Sequence, residues 1–156
     1  MEIERKFLVA ALPPGWETCP RRHLTQAYLA VHPTVRIRRD GDSYVLTCKG
    51  PGLLAREETE FPLTRSAFEH LLPKCDGRVL EKDRCRIPLG PYTAELDLFC
   101  GNLSGLRYVE VEFPSVEEAE AFVPPAWFGR EVTGDPRYTN AHLALDPSVT
   151  PQDLLP

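Results

Sequence analysis

The sequence predicts an α+β protein of about eight short, mostly antiparallel strands, closed as a barrel or curled into paired sheets, with two or three short outer helices. Three observations lead there. Apolar and polar residues alternate with period two in one segment after another, the pattern of strands with two unlike faces. The 16 prolines lie between those segments or near the C-terminus, as breakers that keep the strands short. Helical spacing is confined to three brief stretches. A chain of 156 residues suits one domain, expected over residues 1–146, with a Pro-rich, loosely ordered tail at 147–156.

The first strand is MEIERKFLV, with Glu2, Glu4 and Lys6 on one face and Ile3, Arg5 and Phe7 on the other. Pro13-Pro14-Gly15 breaks the chain before a second strand, His23 to Val31. The third, Thr34 to Arg39, puts Arg36 and Arg38 together; Asp40-Gly41-Asp42 is a hairpin signal. Ser43 to Lys49 returns as the fourth strand, and Leu54 to Leu63 is the fifth, aligning Arg56, Glu58 and Glu60. Thr64 caps a helix to about Leu72 with an apolar stripe. The sixth strand, Arg78 to Pro88, presents Lys82, Arg84 and Arg86, with Glu81 and Asp83 on its opposite face. Tyr92 to Phe99 and Arg107 to Phe113 complete the set, carrying Glu95 and Asp97, then Glu110 and Glu112. Ser115 and Glu118 form a capping box for a helix to about Val123. Trp127-Phe128-Gly129 reads as an aromatic turn, and Asp135-Pro136 as the start of a helix toward Leu145.

Composition narrows the function classes. A net charge of −5 argues against a nucleic-acid surface. No apolar run approaches the roughly 18 residues of a membrane span. The opening is a charged strand pattern rather than an apolar leader, so a cytoplasmic home is expected. Five cysteines without C-x-x-C spacing suggest neither a disulfide framework nor a zinc site. The four histidines lack ligand spacing and read as surface or packing residues.

The charged faces are the informative feature. Solvated strand faces mix signs, because like charges on neighbouring positions repel. Here sign is segregated: acid pairs at 2/4, 58/60, 95/97 and 110/112 stand against basic pairs at 36/38 and 82/84. The plain alternative is a sandwich with its charges in water. If these faces instead line a barrel, the acids suit a hard divalent ion and the bases suit a polyanion. Both sets would then meet around one metal–polyphosphate complex.

The order E-x-E-R-K, R-x-R, T-x-K, R-x-E-x-E, K-x-R, E-x-D and E-x-E, followed by E-V-T at 131–133 and R-Y-x-N at 137–140, resembles the CYTH superfamily of triphosphate tunnel metalloenzymes. The resemblance runs from residue 2 to about 145. It implies an eight-stranded antiparallel tunnel with a charged interior, acting on triphosphates with a divalent metal, Mg²⁺ or Mn²⁺ and two ions. It implies Lys6, Arg36, Arg38, Lys49, Arg56, Lys82 and Arg84 as the triphosphate grip. It implies Glu2, Glu4, Glu58, Glu60, Asp97, Glu110 and Glu112 as the metal cluster. One departure is Q-A-Y-L at 26–29, where many members have glycine second. The short chain resembles the inorganic triphosphatases of the superfamily.

The expected reaction is therefore in-line attack of water on tripolyphosphate, giving phosphate and pyrophosphate. Lys6 or Lys82, crowded among cations, would have a depressed pKa and serve the attacking water. Tyr28 reads either as a packed residue or as a positioner of that water. Rival readings are a nucleoside triphosphatase or class IV-type adenylate cyclase on the same tunnel, and a non-catalytic polyphosphate-binding module. A small-molecule substrate, without nucleic acid or membrane, is expected; a homodimer is left open.

Overall fold

The structure is a computed structural model that describes residues 1–155. Its strands are β1 (Glu2–Val9), β2 (Arg21–Val31), β3 (Thr34–Asp40), β4 (Ser43–Lys49), β5 (Ala55–Arg56), β6 (Glu58–Pro62), β7 (Asp76–Leu89), β8 (Tyr92–Phe99), β9 (Arg107–Glu112) and β10 (Phe128–Glu131). The α-helices are α1 (Arg65–Leu71), α2 (Val116–Ala121), α3 (Asn140–Leu145) and α4 (Pro151–Leu154). All strand pairings are antiparallel, in the order β10-β1-β9-β8-β7-β2-β3-β4-β6.

The strand expected over Leu54–Leu63 is two strands, and the break at Glu57 has a topological reason. β6 pairs with β4, setting Glu58 opposite Lys49, while β5 pairs with β1, setting Arg56 opposite Glu2. One short segment thus joins the β6 end of the strand order to β1, the strand next to its other end. It stitches the curled sheet through a two-residue ladder instead of closing it along its full length.

The remaining added strand, β10, replaces the expected aromatic turn. Phe128 lies opposite Val9 and packs on Phe7 at 4.9 Å between ring centroids. Arg5 holds Glu131 of β10 through a two-pronged contact at 2.7 and 2.8 Å.

The apolar strand faces point outward and are roofed. Phe7, Val109, Val111 and Phe113 pack with Ala119 of α2 and Phe128, and Ala27 and Ile37 pack with Phe68 of α1. The expected caps hold these helices: Thr64 accepts from the Ala67 N–H at 3.0 Å and Ser115 from the Glu118 N–H at 3.1 Å. The opposite faces turn inward. At one end of the interior, Leu8, Tyr28, Leu80, Phe99 and Tyr108 form an apolar cluster with Leu143 and Ala144 of α3.

The helix expected from Asp135 is interrupted. Pro136–Tyr138 makes a single 3-10 turn, and extended backbone at Thr139 then caps α3 by accepting from the His142 N–H. The C-terminal segment departs from a loose tail. Leu154 of α4 joins the α3 cluster, and Arg78 donates to the carbonyls of Leu143 and Val149. Among the described residues, no helix is long and apolar enough to cross a membrane.

Candidate active site

The inward faces surround a cavity of about 850 Å³. Period-two alternation explains its wall: Glu2, Glu4 and Lys6 come from β1, Arg36 and Arg38 from β3, and Lys82 and Arg84 from β7. Register then sets neighbours. Arg36 lies opposite Tyr28 on one side and Thr47 on the other. Its Nη2 donates to Thr47 Oγ1 at 3.2 Å, while its buried Nε has no partner. Arg38 donates to Gln26 Oε1 at 2.8 and 3.1 Å, and Gln26 donates onward to the Tyr28 hydroxyl at 3.2 Å. Burial, then repulsion from Arg36 and Arg84, lowers the Arg38 guanidinium to about 9. These crowded cations, one with an unused donor, are poised for a dense anion.

Lys82 is fully buried. Its Nζ donates to Asp97 at 2.7 Å and to Asn140 Oδ1 at 3.1 Å. Asp97 also accepts both prongs of Arg84, at 2.7 and 2.9 Å. Burial, reinforced by Arg84 and Arg38 against the pull of Asp97, lowers Lys82 to about 7. Lys6 departs from the expected depression. Burial does push it down, but Glu110 at 3.6 Å and Glu4 outweigh that and hold it above its ordinary range.

The acids separate by position. Glu2, Glu4 and Glu110 are on the cavity wall. Burial, then Glu110 and Glu2, holds Glu4 well above the usual carboxylate range. Glu110 goes the other way, because Lys6, Lys82 and Arg84 overcome the cost of its burial. Glu2 is raised by burial and by its contact with Glu58, despite Lys49 at 2.7 Å. Glu58 is half-buried, 3.5 Å from Lys49, while Glu60 and Glu112 are exposed. Glu112 lies directly across from Glu4, and the partial desolvation of its carboxyl, with Glu2 and Glu95, raises it. Asp97 stands apart from the other acids, with both oxygens taken by Lys82 and Arg84.

Arg56 is tied back to the Gly50 carbonyl and Thr34 hydroxyl at 2.9 and 3.0 Å. Tyr28 is buried in the apolar cluster and also lines the cavity. Residues given no role from the sequence are Gln26, Tyr138 and Asn140. Gln26 shares parity with Tyr28, and Asn140 closes the R-Y-x-N element; those were the available signals. Tyr138 is buried against Tyr108, and its carbonyl accepts from Lys6 Nζ at 3.3 Å.

The family model for the CYTH domain matches residues 1–122. An inorganic triphosphatase of Nitrosomonas europaea is 48% identical over 151 residues, covering 92% of this chain and 97% of that protein. One of Acetivibrio thermocellus is 36% identical, covering 94% of each. The crystal structure of the inorganic triphosphatase NE1496 superposes with a TM-score of 0.69 at 43% identity, covering 94% of this chain and 95% of that one. With a curled antiparallel sheet, charges turned inward and matches spanning nearly its whole length, the chain belongs to the CYTH domain family.

Proposed function

We propose that this chain hydrolyses inorganic triphosphate to pyrophosphate and phosphate with a divalent cation, Mg²⁺ or Mn²⁺. The observation that carries the reading is the cavity itself, where crowded cations face clustered carboxyls. Two relatives that match over most of this chain are named inorganic triphosphatases, which supports the same substrate here.

The donor set fits a hard cation. Glu2 and Glu4 are both pushed up, first by burial and then by neighbouring carboxyls, which the nearby Lys49 offsets only in part. Oxygen-only ligands of this type suit Mg²⁺ or Mn²⁺. Glu2, Glu4 and Glu110 would hold it, with Glu58, Glu60 and Glu112 at the rim. We place Asp97 with the lysine it grips instead of with the metal set. Two ions remain our reading of the number. When bound, the ion neutralises phosphate charge and acidifies neighbouring water.

The chain's own groups do the rest. Arg36, Arg38 and Arg84, with Lys49 and Arg56, hold the phosphate oxygens and fix the chain of phosphates for in-line displacement. Lys82 sits near neutrality, so its Nζ can take a proton from the attacking water as the bond to the bridging oxygen breaks. Lys6 stays charged and steadies the leaving or terminal phosphate. Tyr28, fixed by Gln26, orients water beside them. The free cysteines accord with a reducing, cytoplasmic setting.

The test is phosphate release from tripolyphosphate and from ATP, each with Mg²⁺, Mn²⁺ or EDTA. Metal-dependent release from tripolyphosphate, weak on ATP and abolished in Glu4→Gln, is expected. Equal turnover of ATP would move the reading to a nucleotide enzyme. Tight binding of tripolyphosphate without release would leave a binding module.

A further inference from the structure

On the outside of the sheet, remote in function from the cavity, three side chains of different ligand chemistry converge. β7 alternates, so Lys82 and Arg84 face the cavity while Glu81 and Asp83 face outward. His23 on β2 is the direct cross-strand partner of Asp83. On the other flank of β7, Cys100 follows β8, and its N–H donates to the Glu81 carbonyl at 2.9 Å. The ligand atoms of His23, Asp83 and Cys100 lie within 4.8 Å of one another. His23 Nδ1 is 2.8 Å from Asp83 Oδ1, and its Nε2 is 3.4 Å from Glu81 Oε1.

We propose that His23, Asp83 and Cys100 form a binding site for a borderline-soft divalent cation, Zn²⁺ by ligand type, with water or Glu81 completing four-coordination. An imidazole, a thiolate and a carboxylate are the donor types zinc takes, whereas Mg²⁺ and Mn²⁺ favour oxygen alone. At zinc bond lengths, the donor atoms of a tetrahedron stand roughly 3.3–3.6 Å apart. Binding would therefore draw the widest of the present separations in by about 1 Å and open the 2.8 Å His23–Asp83 contact by roughly 0.5 Å, both through side-chain rotation without moving strands. The ion would replace the proton shared between His23 and Asp83 and displace that of the Cys100 thiol. Arg21, the competing cation, reaches Asp83 only through its other oxygen, at 4.0 Å.

Placement gives the site a consequence. It would clamp β2, β7 and the end of β8 across the segment that carries Lys82 and Arg84 on its opposite face. The spacing of 23, 83 and 100 hides this in the sequence, because three strands bring the residues together.

The test uses the full chain with Co²⁺ as the spectroscopic stand-in, in excess Mg²⁺ to occupy the oxygen-only acids. One equivalent of Co²⁺ giving an intense thiolate-to-cobalt band is expected, and Cys100→Ser should abolish it. Losing even a supporting partner of a metal ligand costs roughly 10–100-fold in affinity, so His23→Ala should weaken binding at least about 10-fold. Zn²⁺ should raise the Tm of the parent chain and leave Cys100→Ser unmoved. No band in the parent chain, or an undiminished band in Cys100→Ser, overturns the site. Both variants lie on the outer face, so triphosphate turnover in Mg²⁺ reports separately on the cavity.

Discussion

Lys82 illustrates how much chemistry depends on a few buried contacts. The protonation state of a lysine without exposure is set by its neighbours, and its two acceptors here are Asp97 and Asn140. Lys82→Met is expected to reduce triphosphate turnover by at least about 100-fold, the usual scale of a lost proton-transfer group, while tripolyphosphate still binds by calorimetry. Asn140 acts through Lys82 as a positioning residue. Asn140→Ala should lower kcat by about 10- to 100-fold with little change in KM, since a misplaced group costs rate more than binding. A matched loss in KM alone would assign Asn140 to substrate binding instead.

At the scale of elements, the contacts that aim the site are backbone-close. Gly77, at the start of β7, has φ +66, and a Cβ there would collide with the Ala144 carbonyl of α3. Neither backbone can yield without undocking the helix. Gly77→Ala is therefore expected to destabilise by about 3 kcal/mol or more, read as a drop in urea midpoint.

A second element-level device is the Arg5–Glu131 fork between β1 and β10. Arg5 holds the Glu131 carboxylate below its ordinary range. A depressed acid stabilises above its unfolded pKa of about 4.5 and loses that contribution as pH falls through the lower folded value. For this partly exposed pair, screened by solvent on the Glu131 side, the worth is roughly 0.5–1 kcal/mol. Glu131→Gln should lower the urea midpoint at pH 7 and converge with the parent chain at acid pH.

For the molecule as a whole, the interior opposes itself. Arg36, Arg38 and Arg84 repel one another within a shared wall, so a polyanion that joins them should stabilise the fold. At a concentration 100-fold above its Kd, tripolyphosphate should add about 2.7 kcal/mol, seen as a rise in Tm. That rise should shrink with added salt, because screening weakens the attraction. The far end of the interior depends on the C-terminal segment. Leu154→Ala removes a side chain only 4% exposed and should cost about 2–3 kcal/mol.

Local patterning determined much of this by itself. Alternation through Glu2–Glu4–Lys6, Arg36–Arg38 and Lys82–Arg84 identified the strands and which side chains share a face, because the strand period is a property of the backbone. Capping at Thr64 and Ser115 was likewise legible, since a cap bonds within three residues. Only tertiary structure decided that the charged faces turn inward, because either face of an alternating strand can be buried. It also decided that Leu54–Leu63 divides between two ladders, that Phe128–Glu131 pairs with β1, and that Leu154 docks under α3. The same holds for the electrostatics: Lys6 and Lys82 look alike in sequence, yet Glu110 and Glu4 raise one while burial, Arg84 and Arg38 lower the other. Such differences belong to distances between strands, which no local spacing encodes.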